Sequence, residues 1–259
     1  MRVNSHDGMV MLYIDSYLAR IAYNGPRAPT AETLRSLHRA HMLTVPFENL
    51  DISRKREIIC DEHSILRKVV EQKRGGFCYE LNGAFAALLR ELGFRVTMLS
   101  ARVARQDGGF GAEFDHLTLR VDLEEPWLAD VGFGDSFQEP LRLKVDLEQP
   151  QGSRRFRLIE EGGVRFMEMA EPGADWIRQY AFTLAPHCLQ DFSAMCRYHQ
   201  TSPQSSFTQN KICSRATPDG RVTLADNKLI ITKKGERQDS VLSDEDWKSA
   251  LKKYFDIVL

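Results

Sequence analysis

The sequence predicts an α+β fold, and three observations on hydrophobic periodicity lead to that class. Apolar residues recur at helical spacing through the first third, alternate with a period of two from Phe94 onward, and follow both patterns in the tail. The chain of 259 residues is long enough for one large unit or two to three small ones.

Four helices are predicted in the first third, over 12–22, from Thr30 towards Pro46, over 62–72 and over 78–92. In the last of these, Gly93 supplies a C-terminal stop. Its apolar residues fall at i, i+3, i+4, i+7, i+8 and i+11, and they are Leu81, Ala84, Phe85, Leu88, Leu89 and Leu92.

Strands with many antiparallel pairings are predicted after residue 93. They lie over 94–103, 114–123, 127–131, 141–147, 155–159, 164–169 and 177–184. The tail is predicted to hold a helix over 189–198, strands over 211–215, 221–224 and 228–232, and a last helix that begins at Ser243.

Composition excludes several classes of protein. With 35 basic and 36 acidic residues there is no electrostatic reason to expect nucleic acid or a membrane surface as a partner. The five cysteines are scattered and form no CxxC pair, so neither a disulfide framework nor a structural zinc site is expected. Cys60 and His63 have ligand-like spacing but lack further partners, and we expect a cytoplasmic protein without a metal.

Cys78 stands at the start of the fourth helix, directly after Gly75 and Gly76. A helix N-terminus presents unpaired N–H groups and a partial positive charge, which favour a thiolate and can steady an oxyanion. The alternative is a small buried thiol that follows an ordinary loop. As a nucleophile, Cys78 would need a nearby base and a group that orients this base.

His116 and Asp130 are the candidates for the base and for its orienting group. His116 precedes an alternating strand, where the alternative is a place on the solvated face. Asp130 interrupts an apolar strand, and a buried carboxylate needs a hydrogen-bonded partner such as an imidazole. The alternative for Asp130 is a cap on the turn at 132–134. His38 and His41 are expected in the core or on the surface of a helix.

Four segments carry a resemblance to a known family. The segment at 74–82, RGGFCYELN, resembles the active-site signature of the arylamine N-acetyltransferases. The stretches VPFENL at 45–50, FDHL at 114–117 and WLADVGFG at 127–134 agree with it in order and spacing. The match is close over residues 12 to about 140, and the remainder is similar to the family in length and rhythm.

The resemblance implies three domains and a reaction. The domains are a helical domain over 1–93 with the nucleophile, a central antiparallel β-barrel over 94–187 with His116 and Asp130, and an α/β lid over 188–259. Acetyl-CoA would donate acetyl to Cys78, and a small aromatic amine, arylhydrazine or N-hydroxyarylamine would accept it in a ping-pong cycle without a metal. Phe47 and Phe133 match family positions that line the acceptor pocket, where a ring can stack on an aryl group.

Other functions remain open at this point. A cysteine protease or a transglutaminase-like amidotransferase uses the same order of cysteine, histidine and aspartate, and it needs no coenzyme A. An amide synthase on the same fold would close an acyl chain delivered by a carrier protein. A non-catalytic binding protein is the remaining alternative, although such a protein has no reason to retain Cys78, His116 and Asp130 together.

Overall fold

The computed structural model describes residues 5–259, with side chains described from Tyr13 onward. The first part of the chain is helical, and its fourth α-helix continues into a π-helical turn, Arg67–Glu71. These helices are α1 (Ser5–Arg20), α2 (Ala31–Thr44), α3 (Leu50–Ser53), α4 (Glu62–Leu66) and α5 (Cys78–Glu91). The helix expected over 12–22 therefore begins earlier, at Ser5, and the short α3 was not predicted.

Side-chain caps explain where several helices begin. The Thr30 hydroxyl accepts the amide N–H of Thr33 at 3.2 Å, as the predicted start of α2 requires. An Asp61 carboxylate oxygen accepts the amide N–H of Ser64 at 2.9 Å and thereby caps α4. At the other end, α5 stops before Gly93, which adopts a left-handed φ of +86°.

An eight-stranded antiparallel sheet forms the middle of the protein, in the order β5-β4-β3-β2-β9-β8-β7-β6. The neighbours β2 and β3 place Ala101 opposite His116. The strands are β2 (Arg95–Val103), β3 (His116–Asp122), β4 (Pro126–Ala129), β5 (Leu141–Arg142), β6 (Gln149–Gln151), β7 (Arg154–Glu161), β8 (Val164–Ala170) and β9 (Ile177–Phe182).

This sheet forms a nearly closed barrel. Its two edge strands, β5 and β6, are joined through a side chain. The Gln149 carboxamide accepts the Arg142 N–H at 2.7 Å and donates to the Arg142 carbonyl at 3.1 Å. The strand predicted over 141–147 is reduced to two residues, and the connection that follows contributes a single bridge, between Val145 and Leu158. The interior is apolar, with Leu99, Leu128, Phe137, Phe156 and Tyr180 among its buried residues.

A second sheet of five antiparallel strands lies in the C-terminal part and recruits a strand from the helical part. Its first strand, β1 (Phe47–Glu48), pairs with β10 through Phe47 opposite Ser214. The other strands are β10 (Ile212–Thr217), β11 (Gly220–Ala225), β12 (Lys228–Lys233) and β13 (Glu236–Val241). Neither β1 nor β13 was predicted, since β1 has two residues and every residue of β13 is exposed.

Four further helical segments complete the C-terminal part. They are a 3₁₀ turn (Leu189–Phe192), α6 (Ser193–Thr201), α7 (Ser206–Gln209) and α8 (Asp244–Phe255). The last of them begins at the predicted cap Ser243 and packs Leu251 and Phe255 on the five-stranded sheet. Among residues 5–259, no helix has the length and apolar character needed to cross a membrane.

Candidate active site

Cys78 is the first residue of α5, a helix that is buried along most of its length. The side chain of Cys78 is 4% exposed. The Glu80 carboxylate accepts the amide N–H of Phe77 at 3.2 Å and thereby fixes the first turn of the helix. The predicted position of Cys78 at a helix N-terminus is confirmed. Its burial is compatible with both interpretations of this residue, as a nucleophile and as a small buried thiol.

Three glycines let other backbone segments approach the start of α5 closely. A Cβ at Gly75 would lie 1.9 Å from the Pro46 carbonyl oxygen, and a Cβ at Gly132 would lie 2.8 Å from Cα of Cys78. At Gly76, the same atom would lie 2.6 Å from Cβ of Glu80. No larger residue fits without movement of the backbone, so these glycines bring the segment before α5 and the turn after β4 against Cys78.

The His116 ring lies between Cys78 and Asp130, and it is 2% exposed. His116 Nε2 is 2.6 Å from Asp130 Oδ2, and the same ring adjoins the Cys78 thiol. The structure thus places the three predicted residues next to one another, with a hydrogen bond between His116 and Asp130. The alternative that His116 occupies a solvated strand face is wrong.

Asp130 is completely buried, and several donors satisfy its carboxylate. Besides His116 at Oδ2, Oδ1 accepts from Asn82 Nδ2 at 2.9 Å and from the Gly132 amide at 3.0 Å. The contact with Gly132 is the turn cap expected as the alternative for Asp130, so this carboxylate both caps the turn and orients the imidazole. Asn82 lies one turn after Cys78 on α5, and its Oδ1 accepts the Val131 amide at 2.9 Å.

The charges of these groups are coupled. Burial opposes charge on His116, but the Asp130 carboxylate outweighs it and raises the pKa of His116 to about 10. Burial likewise opposes charge on Asp130, yet His116, Asn82 and Gly132 hold its pKa below the ordinary value. Burial raises the pKa of the Cys78 thiol, and hydrogen bonding to His116 counteracts this increase. The imidazolium and the carboxylate are therefore the stable forms near neutral pH.

His38 contacts the backbone of Asp130. From the sequence, this histidine was expected only in the core or on the surface of a helix. Its Nδ1–H donates to the Gln138 carbonyl at 2.8 Å, so Nε2 accepts the Asp130 amide N–H at 3.1 Å. Burial lowers the pKa of His38 to about 4, which keeps this ring neutral and able to accept. His41 is also fully buried, and its Nδ1 bonds the Tyr17 hydroxyl at 3.1 Å.

The two aromatic residues predicted for an acceptor pocket contact different neighbours. The Phe133 ring is 5.2 Å from His116, in an edge-to-face arrangement, and 5.1 Å from Tyr180. Phe47 lies against Gly134 and 6.1 Å from the ring of Phe207 on α7. Their role in binding stays a prediction.

Five ionisable side chains form a buried cluster beside the start of α5. Lys68 Nζ lies 2.8 Å from both Glu80 Oε1 and Asp51 Oδ2, and Arg74 Nη2 lies 2.7 Å from Glu48 Oε1. Three carboxylates face two cations, and burial raises the pKa of Glu80 to about 7 although Lys68 counteracts it. This cluster ties β1, α3, the π-helical turn and α5 together.

Reasoning from the sequence left four neighbours of the site without a role: Asn82, Tyr180, His38 and Phe207. Asn82 had a readable signal, since it lies four residues after Cys78 on the same helix face. The other three reach the site through tertiary packing. No group of three or more potential metal ligands occurs in the described part of the chain, so Cys60 and His63 gain no partners there.

Comparisons with known proteins identify the class first. A family model described as N-acetyltransferase matches residues 30–259, so the chain is an N-acetyltransferase. Among curated relatives, the arylamine N-acetyltransferase of Escherichia coli K12 is 38% identical, over 80% of this chain and 74% of that protein. The arylamine N-acetyltransferase pineal gland isozyme NAT-3 of Gallus gallus is 34% identical, over 95% of this chain and 94% of that protein. The chain therefore belongs to the arylamine N-acetyltransferase family.

Solved structures agree with this assignment and with the mixed helix and barrel fold. The arylamine N-acetyltransferase from Salmonella typhimurium has a TM-score of 0.89 at 32% identity, covering 95% of this chain and 91% of that chain. The Mycobacterium marinum arylamine N-acetyltransferase in complex with CoA has a TM-score of 0.87 at 30% identity, covering 94% and 92%. The predicted family and enzyme class are confirmed.

We expect Gly132→Ala to lower both acetyl transfer and stability. The added methyl group would overlap Cys78 and Asn82, and such overpacking costs roughly 1–3 kcal/mol. Acetylation of an arylamine by the purified variant, together with its melting temperature, checks this expectation. Gly109→Ala is the control, because its Cβ would meet only the Asp107 carboxylate, at 3.1 Å in an exposed loop. Equal activity of both variants would contradict the close contact.

Proposed function

We propose that Cys78 carries the acetyl group between acetyl-CoA and the nitrogen of an arylamine, an arylhydrazine or an N-hydroxyarylamine. The observation that supports this role is the buried arrangement in which His116 lies 2.6 Å from Asp130 and beside the Cys78 thiol. A thiol nucleophile, a base and an orienting carboxylate are the groups that acyl transfer through a covalent intermediate requires. Membership of the arylamine N-acetyltransferase family supports the acceptor class.

In the first half-reaction, the Cys78 sulfur attacks the thioester carbonyl of acetyl-CoA. The thiol proton is held by His116, whose imidazolium charge Asp130 balances. When the tetrahedral intermediate collapses, the bond to the coenzyme A sulfur breaks, and coenzyme A leaves as a thiol with a proton from His116. One thioester replaces another, so the enzyme mainly supplies positioning and stabilisation of the oxyanion.

In the second half-reaction, the acceptor nitrogen attacks the acetyl carbonyl on Cys78. His116 takes the proton that the nitrogen loses, and the carbon–sulfur bond breaks to release the amide and regenerate Cys78. An aryl group between Phe47 and Phe133 would be oriented by stacking. The CoA complex of the Mycobacterium marinum relative supports acetyl-CoA as the donor.

Water has to be excluded while the acetyl group is on Cys78, because hydrolysis would remove the acetyl group before the acceptor reacts. The C-terminal segment is suited to this task. Phe207 on α7 packs 5.7 Å from Phe77 and 6.1 Å from Phe47, and His199 on α6 packs 5.2 Å from Phe207. These aromatic contacts support the assignment of residues 188–259 as a lid over the start of α5.

Brief exposure to acetyl-CoA without an acceptor should add one acetyl group to Cys78. Intact-mass and peptide mass spectrometry measure this modification, and addition of an arylamine should remove it. Cys78→Ser should lose arylamine acetylation, because a serine beside this imidazole is a far weaker nucleophile. The matched control is Cys188→Ser, since Cys188 is an exposed free thiol away from the site. Acetyl transfer without modification of Cys78 would refute the scheme.

The charge on His116 predicts a pH-dependent stability difference. Its pKa rises from 6.5 to about 10 on folding, so this contribution is fully present below pH 6.5 and is lost as the pH rises through 10. Below pH 6.5, the free energy of unfolding of His116→Gln should be roughly 3–5 kcal/mol lower than that of the unmodified protein, because Asp130 loses its charged partner. Urea unfolding between pH 6 and 10 should show that this difference in the free energy of unfolding decreases as the pH rises.

His63→Gln is the matched control for this series, since His63 is an exposed histidine on α4. Its stability should follow that of the unmodified protein at every pH. If the deficit of His116→Gln stayed constant across the range, an imidazolium held by Asp130 would be the wrong description.

A further inference from the structure

Two cysteines outside the candidate active site share a cavity. This cavity has a volume of about 590 Å³ and lies between the segment that follows α3 and the helix α6. Cys60 and Cys196 both line it, and their side chains are buried, with 7% and 1% exposed. Both are free thiols, and the proposed acetyl transfer uses neither of them.

The two thiols are held against each other although they are distant in the sequence. Cys196 Sγ lies 3.8 Å from the carbonyl oxygen of Ile58, two residues before Cys60. Gln200, one turn further along α6, donates to the Cys196 sulfur at 3.2 Å and to the Ile58 carbonyl at 2.9 Å. Its carboxamide oxygen also accepts the Ile58 amide at 2.7 Å. The segment that carries Cys60 is therefore fastened to α6 directly beside the sulfurs.

The surroundings distinguish the two thiols. The neighbouring Cys60 side chain and burial raise the pKa of Cys196, so Cys196 keeps its proton. The cavity lining includes the cations Lys55, Arg56 and Arg197, with Glu57 as its one acidic residue among the described side chains. The cavity gives a small oxidant a route to the two sulfurs.

We propose that Cys60 and Cys196 form an intramolecular disulfide when the enzyme meets hydrogen peroxide, as a modification site separate from Cys78. The Cys60 thiolate attacks a peroxide oxygen, the O–O bond breaks, and water leaves after protonation, which produces a sulfenic acid. The Cys196 sulfur then attacks the Cys60 sulfur, the S–O bond breaks, and a second water leaves with the Cys196 proton. Two electrons from the two thiols reduce one peroxide.

Formation of this bond requires the two sulfurs to approach each other. Cys60 lies in an irregular segment before α4, so its backbone has no helix or strand hydrogen bonds to lose when the sulfurs approach to about 2 Å. The bond would connect that segment with α6, which carries His199 against the Tyr79 ring at 6.2 Å. It would thereby close a long loop and restrict the unfolded chain.

The test compares the full-length protein before and after treatment with hydrogen peroxide. Digestion without reductant, followed by mass spectrometry, should recover the peptides of Cys60 and Cys196 linked and lighter by two hydrogens. The melting temperature should rise by about 5–15 °C, and dithiothreitol should reverse both changes. Cys78→Ser should still form the link, which separates this inference from the proposed function.

Cys60→Ser and Cys196→Ser should abolish the linked peptide and the rise in melting temperature. The matched control Cys188→Ser should keep both, because Cys188 is exposed and lies outside the cavity. Recovery of Cys60 as a sulfinic acid, or of Cys60 and Cys196 as unlinked thiols after Cys188 has reacted, would overturn the proposal. The peptide map of the unsubstituted protein decides this even if a serine variant does not fold.

Discussion

A single buried carboxylate, that of Asp130, constrains how the helical part and the barrel pack together. Asp130 has no exposed surface, and a charge in that position is stable only if nearby donors replace water. Those donors come from three places: His116 at the start of β3, Asn82 on α5 and the amide of Gly132 in the turn after β4. Helix and barrel must therefore dock in one register for the charge to be satisfied. That same register brings the imidazole to Cys78.

The rest of the structure holds the start of α5 in this position. Gly75 and Gly132 permit contacts that any Cβ would block, so the backbone on both sides of Cys78 is packed closely. The buried ionic cluster adds a polar constraint, since Glu80 both binds Lys68 at 2.8 Å and accepts the Phe77 amide. Partial satisfaction of such a network is costly, which favours one geometry of the first helical turn.

Neighbouring groups give the buried cysteines of this protein different chemistry. Cys78 has a charged imidazole beside it, and this favours a thiolate that can accept an acyl group. Cys196 has another thiol and a carboxamide beside it, and Cys60 adjoins a cavity with cationic side chains. Burial raises the pKa of both Cys78 and Cys196, so the polar neighbour of each decides its reactivity.

Local patterns in the sequence were sufficient for the helices α2, α5 and α8 and for the long strands, because caps and hydrophobic periods depend on adjacent residues. They also singled out Cys78, His116 and Asp130 as candidates, through a helix start and polar residues in apolar strands. Periodicity carried no signal for β13, which is exposed throughout, or for β1, whose two residues pair with a distant strand. Only the tertiary structure decided that Asn82 and His38 meet Asp130 and that Cys60 meets Cys196. These contacts join segments far apart in the chain, and packing of the whole core brings them together.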